Sequence, residues 1–101
     1  MDIPDIAEIY IDGEITAYDI GHGYRSSSEA CPWALAVARA LGSDLRAMVS
    51  VLAKGTLVQI QQFRLYFVHT PDLQSWIAGY DNYYVQQPAS FRMRLTSVYD
   101  R

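Results

Sequence analysis

Phe63-Arg64-Leu65-Tyr66-Phe67-Val68-His69-Thr70-Pro71-Asp72-Leu73-Gln74-Ser75-Trp76-Ile77-Ala78-Gly79-Tyr80 is the stretch that decides the fold class. In its first half Phe63, Leu65 and Phe67 alternate with Arg64, Tyr66 and Val68, the period of a half-buried strand over about 63–69. Thr70-Pro71-Asp72 then supplies a cap, a proline suited to the first helical position and an acid in the first turn. Leu73, Trp76, Ile77 and Tyr80 follow at i, i+3, i+4 and i+7, so a short amphipathic helix is expected over about 71–80. A strand that turns directly into a helix is the mark of a mixed fold.

Upstream, two further strands are expected near 45–52 and 56–61, with Lys54-Gly55 as one turn and Gln61-Gln62 as the next. Downstream, after Tyr83-Tyr84-Val85 and Pro88, Phe91, Met93 and Leu95 alternate with Ser90, Arg92 and Arg94, a final strand over 90–95. Residues 28–41 read as a helix, with a serine cap, Glu29 in the first turn, Pro32 early enough to be tolerated, and Gly42 as its stop. That helix is apolar nearly all round, interrupted after its first turn only by Arg39. Such a girdle is covered on more than one side or offers a self-association surface, so a homodimer through helix 28–41 is an expectation.

The first segment, 6–18, reads as a hairpin about Asp12-Gly13. A three-residue loop, Ile11-Asp12-Gly13, would group Ala7, Ile9, Ile15 and Ala17 on one face and Glu8, Tyr10, Glu14, Thr16 and Tyr18 on the other. The expected order is therefore ββ-α-βββ-α-β. This is a single α+β domain over 1–101, a mainly antiparallel sheet with two helices packed on one face.

Half of the 101 residues are hydrophobic and 19% are charged, a composition that argues against intrinsic disorder. No apolar run approaches the ~20 residues of a membrane helix. The N-terminal residues lack a basic segment followed by an apolar run, so no signal peptide is expected. Cys31 is the single cysteine, which excludes an internal disulfide and fits a reducing, cytoplasmic setting. Residues 1–24 carry six acids and no Lys or Arg, whereas 25–101 hold all eight basic residues and five acids. Charge divided in this way influences encounter and partner choice.

The groups that could carry chemistry are few. Cys31 near a helix start, with His22 in the preceding loop, is the one conceivable nucleophile and base, and defines the third reading, a small Cys-dependent enzyme. A small buried hydrophobe is the commoner role for such a cysteine. Ser26-Ser27-Ser28 beside Gly21-His22-Gly23 could meet an anion, but the lysine of a phosphate-binding loop is missing. His22 and His69 match no recognised metal spacing. No catalytic residue, cofactor or metal is expected.

Two surfaces remain. The acidic, tyrosine-bearing face of the first segment, Glu8, Tyr10, Glu14 and Tyr18, is the candidate for binding a protein partner, tyrosine being common in interfaces. The other is basic: Arg64 with Tyr66 on one strand and Arg92 with Arg94 on the final one, which share a sheet surface if those two strands are neighbours. Aromatic and basic residues on a sheet are one way of holding single-stranded nucleic acid, so nucleic acid is the alternative partner.

Cys31-Pro32-Trp33-Ala34-Leu35-Ala36, followed by a strand block, Trp76-Ile77 with Tyr80-Asp81, and Pro88-Ala89-Ser90-Phe91, resembles a set of small uncharacterised bacteriophage and prophage proteins. These share a Cys-Pro-x-Ala-Leu-Ala helix and a late Phe-Asp…Pro-x-x-Phe pattern. The resemblance covers about residues 30–95, and Tyr80 replaces the more frequent Phe. It implies a phage origin and a host-cell setting, and transfers no site residue. The function expected is that of a non-enzymatic phage-type accessory protein that binds a host or viral macromolecule, inhibition of host defence being one such role.

Overall fold

A computed structural model describes residues 9–42 and 47–100. The elements run β1 (Tyr10–Ile15), α1 (Ala17–His22), α2 (Pro32–Leu41), β2 (Met48–Val51), β3 (Gly55–Ile60), β4 (Phe63–Val68), α3 (Pro71–Asp81) and β5 (Ala89–Asp100). The fold is α+β. Its five strands form one antiparallel sheet in the order β1-β5-β4-β3-β2.

The strand and helix periods read around residues 63–80 hold in space. In β4, Phe67 is buried while Arg64 is exposed. At α3, Thr70 is the N-cap, its side chain accepts from Leu73 N–H, and Pro71 follows at once, because a proline at N1 lacks only a donor the helix does not use. Leu73, Trp76 and Tyr80 are its buried residues. They join one apolar cluster with Trp33, Ala34, Ala36 and Val37 of α2 and with Ile15, Val49, Val58, Phe67, Met93 and Leu95 of the strands.

The final strand is longer than the alternation over 90–95 implies. β5 has 12 residues and serves two partners, pairing with β1 through Ala89–Arg94 and with β4 through Arg94–Asp100. A shift between Tyr66 and Phe67 pairs Phe67 with Leu95 and Tyr66 with Ser97, leaving Thr96 as an extra residue. That bulge lets a long strand bend. The Thr96 hydroxyl donates to Tyr66 O at 3.2 Å, so a carbonyl at the irregular step has a partner.

The first segment differs from the expected hairpin. Asp12-Gly13 is no turn: β1 runs straight through both residues and pairs with β5, Asp12 opposite Arg92 and Gly13 opposite Phe91. Gly13 is required by packing. A Cβ there would stand 2.5 Å from Cη2 and 2.6 Å from Cζ3 of Trp33, whose indole is fully buried, so the strand needs a residue without a side chain. Ile11, assigned to the loop by the hairpin reading, lies in the strand and packs against the core.

Glu14 and Ile15 stay in β1 and the chain then enters α1, so among the described residues the order is β-α-α-β-β-β-α-β, with three helices where two were expected. Thr16 and Asp19 form a capping box, the Thr16 hydroxyl accepting from Asp19 N–H and the Asp19 carboxylate accepting from Thr16 N–H. Thr16-Ala17-Tyr18-Asp19 thus contains a helix-start signal that the alternation of neighbouring residues obscured. Burial alone would raise the Asp19 pKa. The Arg39 guanidinium and the bonds from Thr16 outweigh that and hold it below its ordinary value. Arg39 donates to both Asp19 oxygens, at 2.8 and 2.7 Å, and to Glu14 O at 2.6 Å.

The second helix begins later than residue 28. Its N-cap is Cys31, with Pro32 at N1, and the serines form a separate turn in which Ser27 Oγ accepts from Ala30 N–H and Ser27 O from Cys31 N–H. Its end lies at Gly42 with φ 80°, where a left-handed φ favours glycine. Its apolar girdle is half covered: Trp33, Ala34, Ala36 and Val37 are buried, Leu35 is partly buried, and Ala38 and Ala40 are exposed. No described helix is long and apolar enough to cross a membrane.

Candidate functional site

Strand alternation gives the sheet two unlike faces. Ile15, Val49, Val58, Phe67, Met93 and Leu95 enter the core. The residues between them point the other way, and the registers line them up across the strands. On β1 these are Tyr10, Asp12 and Glu14, opposite Arg94, Arg92 and Ser90 of β5. On β4 they are Arg64 and Tyr66, opposite Tyr99 and Ser97 of β5 on one side and Gln59 and Leu57 of β3 on the other.

The two surfaces expected from sequence therefore meet on a single face. Arg64, Tyr66, Arg92 and Arg94 share it with Tyr10 and Glu14. Tyr18 does not belong to it: it sits on α1, with its ring stacked on His22 at 3.8 Å and 64% exposed. Glu8 lies outside the described residues.

Pairing of β1 with β5 has an electrostatic consequence. Arg92 Nε donates to Asp12 Oδ1 at 2.7 Å and Nη2 to Oδ2 at 3.2 Å, and its guanidinium lies 5.0 Å from the centre of the Tyr10 ring. The Arg92 hydrogen bond holds the Asp12 carboxyl below its ordinary value. This pair is exposed to water on both sides, so it fixes geometry more than it stabilises the fold. Among the described residues Arg64 and Arg94 make no ion pair. Where the face reaches the end of β4, Tyr10, Val68, Thr70, Arg92 and Arg94 border a shallow cleft of about 360 Å³.

Behind that cleft sits His69, 7% exposed. Gln74 Nε2 donates to Ala53 O, which turns Gln74 Oε1 toward His69 Nδ1. Nδ1 must then carry the proton, and Nε2 accepts from the Thr56 hydroxyl at 2.7 Å. Burial pushes the His69 pKa down, and both ring nitrogens are already engaged. This network ties β3, β4 and α3 together.

Cys31 is 3% exposed, and burial pushes its thiol up, away from the thiolate that nucleophilic attack requires. His22 is exposed, with Nδ1 2.9 Å from Tyr18 O. Cys31 and the three serines line a cleft of about 310 Å³ that also contains Asp81. There the Asp81 carboxylate accepts from Ser26 N–H at 2.8 Å, and a carboxylate beside the serines opposes binding of an anion. No cluster of three or more His, Cys, Asp and Glu is placed to hold a metal among the described residues.

Sequence reading missed the joint between the loop after α1 and α3. The Tyr80 hydroxyl lies 3.0 Å from both Ile20 O and Gly23 O, and Arg25 Nε donates to Tyr80 O at 3.2 Å. Tyr80 reads from sequence as one more apolar position of α3, and no local signal links it to residues nearly sixty positions earlier. Compared with known protein families, curated proteins and solved structures, the chain matches none.

Proposed function

We propose that the chain is a non-enzymatic binding protein of the bacteriophage accessory type that docks a protein partner on its open sheet face. The observation that carries this reading is the register of β1 on β5, which sets Tyr10, Asp12 and Glu14 beside Arg92 and Arg94. A face of alternating sign with exposed tyrosines suits a protein surface of complementary pattern. Polyanion binding draws most of its affinity from uncompensated cations, and here Asp12 already holds Arg92 while Glu14 lies on the same strand. The resemblance over residues 30–95 supports the phage setting, and complexes of bacterial defence are the partner class to try first.

The immobilised chain is exposed to lysate from bacteria that carry such complexes, alongside a Tyr10→Ser/Arg94→Glu variant and a Tyr18→Ser control. Both altered residues of the variant are solvent-exposed, so the fold tolerates the changes. A defined protein retained by the wild type and the control, and reduced about tenfold in the variant, is the expected result. Retention unchanged by the variant, or no retained protein, overturns the reading.

A second reading, single-stranded nucleic acid on the same face, draws on the shared placement of Arg64, Tyr66, Arg92 and Arg94. A salt-dependent shift of labelled single strands that disappears in Arg92→Ala/Arg94→Ala would replace the protein partner with nucleic acid.

A further inference from the structure

α3 closes in a turn that ordinarily takes glycine. Tyr83 N–H donates to Tyr80 O at 3.1 Å and Tyr84 N–H to Gly79 O at 2.9 Å, the two bonds of a Schellman motif after the Asn82 cap. The left-handed position is held by Tyr83, with φ 69°. An aromatic residue is strained there, and strain of this kind collects at ligand clamps and switches.

The strained ring helps to fix a cation. The Arg25 guanidinium lies 4.4 Å from the Tyr83 ring centre and 5.0 Å from that of Tyr80, while its Nε donates to Tyr80 O at 3.2 Å. Two rings and a carbonyl thus hold it. Its Nη1 and Nη2 make no hydrogen bond or ion pair among the described residues. Asp81, close by in sequence, gives its Oδ1 to Ser26 N–H instead.

Beside this group opens a cleft of about 290 Å³ whose walls include Arg25, Tyr80, Gly21, Tyr84, Val85 and Gln86. Tyr84 is 70% and Val85 89% exposed, so one wall is an apolar surface left open to water. A guanidinium fork matches a carboxylate in the plane of its two Nη groups. One cation beside one apolar wall, in a lining that is otherwise largely polar, suits a singly charged anion with an apolar part better than a phosphate, which calls for more donors.

We propose that this cleft binds a carboxylate carried on an apolar group, with the carboxylate on the Nη fork of Arg25 and the apolar part against Tyr84 and Val85. The terminus of a partner chain and a free carboxylic acid supply the same chemistry. None of the site's residues belongs to the open sheet face, so the two proposals stand or fall separately.

The test is an amide-shift titration of the full chain, following Gly21, Gly23 and the Gln86 side chain. The probes are N-acetylphenylalanine, its neutral amide, and a hexapeptide ending in phenylalanine with a free carboxylate. The acid is expected to bind at least about tenfold more tightly than the amide, the effect of a charge-assisted bidentate bond. Arg25→Gln abolishes that preference, and Arg25→Lys restores part of it. Tyr84→Ser, which leaves the Arg25 contacts in place, weakens the acid and the amide alike. A hexapeptide tighter than the single amino acid identifies a chain terminus as the source, and equal affinity identifies a small acid. Equal binding of acid and amide, binding unchanged in folded Arg25→Gln, or no shift at these amides overturns the proposal.

Discussion

At Gly13 the hydrogen in place of a side chain leaves the space in which the Trp33 indole lies. The indole N–H reaches Met93 Sδ at 3.3 Å, and its ring meets Phe91 edge-on at 6.0 Å. Gly13→Ala would force a methyl group into that ring or displace the ring from β5. A loss of about 1–3 kcal/mol of folding stability is expected, the usual range for overpacking, and urea unfolding would measure it. In a Trp33→Phe background the same change should cost less, since the shorter ring withdraws the nearest atoms, and the difference between the two costs isolates the contact. Sequence reasoning took Asp12-Gly13 for a turn because turn residues are a local signal. The reason for this glycine lies twenty residues away, across the core. Tyr10 and Glu14 were legible as outward-facing, since alternation is local. The Asp12–Arg92 pair, separated by 80 positions, was not.

Among the elements, α1 has the least of its own to hold it. It has six residues, Asp19 is its one fully buried side chain and only Ile20 packs partly against the core, so helix propensity contributes little. Its stability comes from the capping box, from the Tyr80 hydroxyl on Ile20 O, and above all from Arg39, whose side chain is 48% exposed while Asp19 is 1% exposed. Arg39→Met removes both bonds to the carboxylate and the bond to Glu14 O, and leaves Asp19 buried with Thr16 alone. A loss of about 2–3 kcal/mol is expected, below the full range for a broken buried pair because Arg39 is half in water. Hydrogen exchange should show amides 17–22 opening before those of the sheet, whereas equal protection would mean that α1 is held by something else. The α3 helix was legible to within a residue because its cap, proline and apolar stripe lie in one stretch. α1 was missed because Thr16 and Tyr18 also fit the alternation of a strand.

Among the described residues, two buried groups make the stability of the whole fold sensitive to acid. Burial depresses the His69 pKa below 6.5, so the folded state disfavours the proton that the unfolded chain accepts. The stability from neutral His69 is therefore complete above about pH 6.5 and declines as pH falls through the depressed folded value. Asp19, held below 3.8, adds a second decline at lower pH, where its carboxylate begins to take a proton. Urea midpoints measured between pH 7.5 and 5 should fall in the wild type and stay nearly level in His69→Gln. A parallel fall in both would remove His69 from the account.

The arrangement of β5 has a consequence for assembly. Because the strand that completes β1 comes from the far end of the described chain, a ribosome delivers the Trp33 indole and the β1 edge long before their cover. Loop closure of that length is slow, and an unpaired edge invites strands from other molecules in the interval. Crowded synthesis should therefore favour exchange of β1 between two nascent chains, giving an intertwined pair in which each sheet borrows its outermost strand.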